Sequence, residues 1–128
     1  MNMKKLMTAV LSVTLAMLAA VSFADERYYD KTGSYLGKKD DSGRFYDNFG
    51  VYQGRIDENG HMYKSTGTYQ GRVDDDGRVY NKTGGYEGRM TDEGRMYNNM
   101  GVYEGRVSES GSVYDRTGSF VGSVRKSK

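Results

Sequence analysis

Apolar residues are laid out along this chain in two unlike ways. From Leu6 to Val21 they form a run unbroken by any charge, whereas beyond Ala24 they occur singly or in pairs between glycines and recur every seventeen residues. Aligning on Tyr-x-x-x-Gly gives six consecutive units without insertion, at 27–43, 44–60, 61–77, 78–94, 95–111 and 112–128. Numbering each unit from one, position three is always Tyr (Tyr29, Tyr46, Tyr63, Tyr80, Tyr97, Tyr114), and positions seven and eleven are always Gly. Position nine is Tyr35, Tyr52, Tyr69, Tyr86, Tyr103 and, once, Phe120. Identity locked to a period marks a repeat architecture in which each unit is one supersecondary element.

Each unit carries two turn signals. The first is exemplified by Asp-Lys-Thr-Gly at 30–33 and Asn-Lys-Thr-Gly at 81–84, the second by Asp-Glu-Asn-Gly at 57–60 and Asp-Asp-Asp-Gly at 74–77. Asp or Asn opening a type I turn, with a left-handed Gly three residues on, is the hairpin connection with a G1 bulge. The runs between the turns, such as Arg78-Val79-Tyr80 and Tyr86-Glu87-Gly88-Arg89-Met90, suit strands. The fold class predicted is all-β, six β-hairpin repeats making about twelve short antiparallel strands, with no helix after residue 24.

Parity assigns a role to position eleven. With both turns bulged, Tyr80 falls opposite Tyr86 and Met90 opposite Met96. In straight strands the inward face would then invert from one unit to the next. A uniform repeat does not tolerate inversion, which predicts a kink or bulge at Gly88 and its equivalents and a bent, petal-like array. Closure into a ring removes the exposed edges of such a meander and sets Val124 beside Tyr28. The alternative is an open array capped by its terminal units, where Lys39, Ser123, Arg125 and Lys126 depart from the pattern. The strands are too short for a transmembrane barrel, which needs about nine to eleven residues per strand.

The first apolar run belongs to an export signal. Lys4 and Lys5 precede it and Ser22 and Ala24 flank Phe23 at its end, the pattern of a signal peptide spanning 1–24 and cleaved after Ala24. An uncleaved anchor is the alternative, since a run of about sixteen residues approaches a minimal span. The location expected is periplasmic or secreted, with no transmembrane segment after cleavage. The chain has no Cys, which excludes a lipobox, a disulfide framework, thiolate metal sites and cysteine nucleophiles. Removing 1–24 takes two of the 19 basic residues and leaves 17 against 17 acidic ones, so the domain at 25–128 is neutral. That part has no Ala and only Leu36, a composition hostile to helix.

Candidate chemistry is sparse. Second-turn carboxylates at Asp41, Glu58, Asp75, Asp92 and Glu109 are read as solvated turn residues, with Asp74-Asp75-Asp76 the one cluster to test for calcium. Arg55, Arg72, Arg89 and Arg106 share position twelve and form a row. They are candidates for anion binding, against the structural reading of stacking on cross-strand Tyr and pairing with turn acids. Zero net charge disfavours nucleic acid, whose binding is dominated by phosphate neutralisation. The two tyrosine registers supply most of the apolar area, so core and sheet packing is their default role; rows of exposed rings would instead stack on sugars. The lone His61 replaces Arg at position one, and no Ser-His-Asp, phosphate-loop or metal-ligand constellation occurs. Neither a catalytic residue nor a metal or cofactor is expected.

The phrase Gly-x-Val-Tyr-Asn-x-x-Gly-x-Tyr-x-Gly-Arg-Met, as it stands at 77–90, resembles the repeat of exported bacterial β-flower proteins, the five-fold β-flower and its relatives. The likeness covers all six units and implies a compact ring of β-hairpins released from a signal-bearing precursor, with no established activity. Six units stand here where the five-fold form has five. The function expected is a non-catalytic binding or structural module of the cell envelope, with an envelope glycan or protein as partner. The alternative is a secreted effector, inhibitor or immunity-type protein that binds one protein partner. Near-identical units leave little of the asymmetry an enzyme needs.

Overall fold

The computed structural model of the chain describes residues 25–126. The signal peptide expected at 1–24 and its cleavage after Ala24 lie outside the described residues. Twelve strands follow in order: β1 Glu26–Asp30, β2 Tyr35–Lys39, β3 Arg44–Asp47, β4 Tyr52–Ile56, β5 His61–Lys64, β6 Tyr69–Val73, β7 Arg78–Asn81, β8 Tyr86–Met90, β9 Arg95–Asn98, β10 Tyr103–Val107, β11 Ser112–Asp115 and β12 Phe120–Lys126. Each pairs antiparallel with its sequence neighbours, and β12 pairs back onto β1, which closes the barrel.

Local sequence accounts for both kinds of turn. In the first, Gly33 N–H donates to the Asp30 carbonyl and Asp30 N–H to that of Ser34, both at 3.0 Å. Asp30 Oδ1 also accepts from the N–H groups of Thr32 and Ser34. The second turn repeats this, with Asp57 Oδ1 accepting from the N–H groups of Asn59 and His61. The Gly that ends each turn has φ between 81° and 92°. This is the type I turn with a left-handed glycine, its opening side chain holding backbone donors that would otherwise face water.

The parity problem is resolved beside the central glycine. Tyr80 pairs with Tyr86 but Val79 pairs with Gly88, so Glu87 is an extra residue and the strand is bulged there. The same shift recurs in the other five hairpins. Gly88 has φ of 139°, and a Cβ on it would collide with the Tyr97 carbonyl oxygen on the next strand. The backbones therefore approach to a distance that only glycine permits. Across the second turn Met90 pairs with Met96.

With the bulge in place, positions two and thirteen point inward in every unit. Phe45, Ile56, Met62, Val73, Met90, Met96, Val107, Val113 and Val124 fill the barrel with Tyr28 and Leu36, and Val79 packs against them. The same pairing crosses the closure, where Tyr28 lies opposite Val124 as Met96 lies opposite Met90. Every strand has two hydrogen-bonded neighbours, and the ring encloses the apolar cluster.

The core is not made by the two tyrosine registers, contrary to half of their expected role. Alternation along the bulged strands puts positions one, three, nine and twelve on the outer wall and leaves the interior to the aliphatic and Met side chains with Tyr28 and Phe45. Tyr28, outside both registers at position two, is the one tyrosine in the core.

One pair of inward positions breaks the apolar rule. Glu26 and Lys39 lie opposite each other on β1 and β2, and both are buried. Elsewhere the equivalent pairing joins a second-turn glycine to an apolar residue, as when Ile56 N–H donates to the Gly43 carbonyl. Tyr28 Oη donates to Glu26 Oε2 at 3.2 Å inside the barrel. Burial pushes the Glu26 carboxyl above its usual range, with Lys39 and Lys126 opposing that rise, and burial pushes the Lys39 ammonium down.

Candidate functional site

The outer wall carries the repeated chemistry. In each hairpin the tyrosines of positions three and nine are cross-strand partners beyond the bulge, and their rings meet at an angle. Tyr29–Tyr35, Tyr63–Tyr69, Tyr80–Tyr86 and Tyr97–Tyr103 have centroids 5.8 Å apart, Tyr46–Tyr52 5.9 Å and Tyr114–Phe120 6.0 Å. Such tilted pairs are the favoured aromatic geometry, worth about 0.5–1.5 kcal/mol each beyond area burial. Sheet packing is thus part of their role. The rings are only partly covered, and Tyr35, Tyr69 and Tyr86 each keep more than a third of their surface open.

A cation from the preceding unit lies over each pair. The guanidinium of Arg55 is 4.5 Å from the Tyr63 ring centroid, that of Arg72 4.4 Å from Tyr80, Arg89 5.6 Å from Tyr97 and Arg106 4.9 Å from Tyr114. Lys38 supplies the cation over Tyr46 at 5.7 Å. At the closure position twelve is Ser123, which pairs with Tyr29, and Arg125 two residues on reaches over that ring at 5.3 Å. Six aromatic pairs and six cations therefore encircle the barrel.

The four arginines singled out in the sequence all lie in this girdle, and all eleven tyrosines of the two registers line it. Lys38 and Arg125 complete it and were missed. Lys38 was legible as position twelve of its unit, whereas Arg125 is out of phase with the repeat and only ring closure brings it to Tyr29.

The cations also face one another. Arg44 is paired in register with Arg55, Arg78 with Arg89, Arg95 with Arg106, and Arg27 with both Lys38 and Arg125. Like charges directly opposite are destabilising in a sheet, and stacking on Tyr offsets that cost. Pairing with turn acids is seen at Arg78, whose Nη1 lies 3.2 Å from Asp76 Oδ2, and at His61, whose Nδ1 lies 3.5 Å from Asp57 Oδ2. The wall thus offers flat aromatic faces beside guanidinium donors, a surface suited to sugar rings and to hydroxyl or anionic oxygens.

The second-turn acids stand apart from this girdle. Asp41, Glu58, Asp75, Asp92 and Glu109 are exposed on the turns at one rim of the barrel. Asp74 is turned back, its Oδ1 accepting the N–H groups of Asp76 and Arg78. Among the described residues no group of three His, Asp or Glu side chains is placed to hold a metal ion. A hollow of about 380 Å³ opens at the same rim beside the closure, lined by Glu26, Ser108, Glu109, Arg125 and Lys126 among others. No family model and no curated protein matches the chain.

Proposed function

We propose that the protein is an exported, non-catalytic binding or structural module of the bacterial cell envelope, contacting glycan through its tyrosine rows. The observation that carries this reading is the closed girdle of six aromatic pairs, each partly open to solvent and each with a cation stacked beside it. Near-identical sites repeated around a rigid ring suit weak, multivalent contact with a polymer, where each further engaged site raises avidity without any new kind of contact. The resemblance to exported β-flower proteins supports the envelope as the location, and the hairpin ring is the architecture that resemblance implies.

The test is retention of residues 25–128 on purified sacculi and on soluble envelope polysaccharides. Changing Tyr35, Tyr69 and Tyr86 together to Ala is expected to abolish retention. Changing them to Phe, which position nine already tolerates at Phe120, is expected to preserve the ring stacking and most of the binding. Capture of one stoichiometric protein with no glycan retention would replace this reading by that of a protein-binding effector, inhibitor or immunity-type partner.

A further inference from the structure

The six aromatic pairs are not equally open. Tyr35, Tyr69, Tyr86 and, in the sixth hairpin, Phe120 are exposed, whereas Tyr52 and Tyr103, at the same position of the second and fifth hairpins, are half-buried. The residue before each ring divides the hairpins in the same way. It is Ser34, Thr68, Gly85 and Ser119 beside the open rings, and Val51 and Val102 beside the two covered ones. The division recurs every three units, and so do other residues. Lys31-Thr32-Gly33 returns three units later as Lys82-Thr83-Gly84, and Gly50-Val51-Tyr52 as Gly101-Val102-Tyr103. This second-order repeat gives the barrel two halves of the same make.

Ring closure decides where the open pairs stand. The hairpins follow one another around the barrel in chain order, and the sixth lies beside the first. The open pairs of the third and fourth hairpins are therefore neighbours, as are those of the sixth and first, and the second and fifth hairpins separate the two groups. The groups occupy opposite faces of the barrel and are built alike. On one, Arg72 lies over Tyr80 where the Tyr63–Tyr69 pair meets the Tyr80–Tyr86 pair. On the other, Arg125 lies over Tyr29 where the Tyr114–Phe120 pair meets the Tyr29–Tyr35 pair. Strands in a sheet are about 4.8 Å apart, so neighbouring pairs are about 10 Å apart along the wall and a ring of twelve strands is about 20 Å across.

We infer that the barrel is a two-sided bridge between polysaccharide strands, one strand held on the face of the third and fourth hairpins and a second on the face of the sixth and first. The inference rests on the glycan reading above and adds its valency. An extended strand lying on one face covers both aromatic pairs there, with sugar faces on the rings and hydroxyls toward the arginine between them. It does not follow the wall through a half turn around so narrow a barrel, so the opposite face is left for another strand. Joining two strands through one rigid body is a different outcome from gaining avidity on a single strand, and it requires sites that one strand does not span.

Residues 25–128 are to be mixed with soluble glycan strands freed of their peptides, half of the strands carrying a donor dye and half an acceptor. Energy transfer between strands is expected to rise as protein is added and to fall again in excess, when each strand is coated by barrels that hold no other. The double variants Tyr35→Ala, Phe120→Ala and Tyr69→Ala, Tyr86→Ala each remove one face, with thermal melting to check that the barrel is kept. Each is expected to stay bound to sacculi, to take one short strand per barrel in calorimetry where the natural chain takes two, and to lose the energy transfer. The variant Tyr69→Phe, Tyr86→Phe is expected to keep it. Undiminished energy transfer in either one-faced variant overturns the inference, as does a natural chain that binds strands without bringing them together. A natural chain that binds no glycan at all overturns the glycan reading and this inference with it.

Discussion

Glu26 and Lys39 face each other across the first hairpin, each 2 % exposed, where every other unit sets a glycine against an apolar side chain. A buried charge is costly mainly when its counterpart is taken away. Lys39→Met alone is therefore expected to destabilise the barrel by about 1–3 kcal/mol, the cost of leaving a buried polar group without its partner, and Glu26→Gln alone to act in the same direction. The double variant Glu26→Leu, Lys39→Met is expected to be at least as stable as the natural chain, by up to about 4 kcal/mol. Urea denaturation of the three variants checks this, and additive losses in the double variant would contradict it.

The same pair gives a pH dependence. The folded-state pKa of Glu26 is raised above 4.5, chiefly by desolvation, with Lys39 the largest influence opposing the rise. A raised acid contributes stability that is fully present below 4.5 and lost as pH climbs through its folded value. Lys39→Met removes the opposing charge and moves that folded value further up. The stability deficit of this variant is expected to shrink as pH is lowered toward 4.5, measured by melting temperature against the natural chain.

Asp115 carries the opposite sign. Its carboxyl is held below 3.8 first by the Thr117 hydroxyl, then by the Ser119 N–H. A lowered acid contributes stability present above 3.8 and lost as pH falls through its folded value. Thr117→Val is expected to bring the Asp115 titration back toward 3.8, read by carboxylate NMR shifts, while Asp30, held in the same way by Thr32, is unchanged.

Two glycines separate conformational strain from close approach. Gly84 has φ of 88° and open space where a side chain would go, so Gly84→Ala is expected to cost about 1 kcal/mol from its left-handed backbone alone. Gly88 adds the Tyr97 carbonyl in the path of a Cβ. Gly88→Ala is expected to cost more, at or beyond the ~3 kcal/mol top of the range for local strain. Equal losses at the two sites would show that the bulge does not require the backbones to touch.

Arg72 stacks on Tyr80 across the junction between two units. A double-mutant cycle of Arg72→Met with Tyr80→Leu is expected to give a coupling of about 0.5–1 kcal/mol, the range for an exposed cation over an aromatic face. The same cycle at Lys38 and Tyr46, where the separation is 5.7 Å, is expected to give less.

Much of this geometry is legible in the sequence, because the repeat turns small local rules into global ones. The glycine that ends each turn set the register of Tyr80 on Tyr86 and of Met90 on Met96, and parity then demanded a corner at Gly88. Val124 beside Tyr28 followed from carrying the same pairing once more around. What could not be read was which side of the sheet the tyrosines take. Twelve Tyr rings are the largest apolar area in the repeats, and only the position of the bulge decides that positions two and thirteen, not the two tyrosine registers, fill the interior. Glu26 meeting Lys39, and Arg125 covering Tyr29, depend on departures from the repeat whose partners are defined only once the ring is shut.

A ring of near-identical hairpins has a recognition problem of its own, since almost any second-turn edge resembles the partner that any other edge requires. Two chains opened at the same junction could exchange strands and close into a double-sized hoop. The junction between β12 and β1 is where the side chains differ most, with Ser123 yielding its place to Arg125 and Glu26 meeting Lys126. Those differences give the closing pair of strands a set of side-chain partners that none of the five internal junctions repeats.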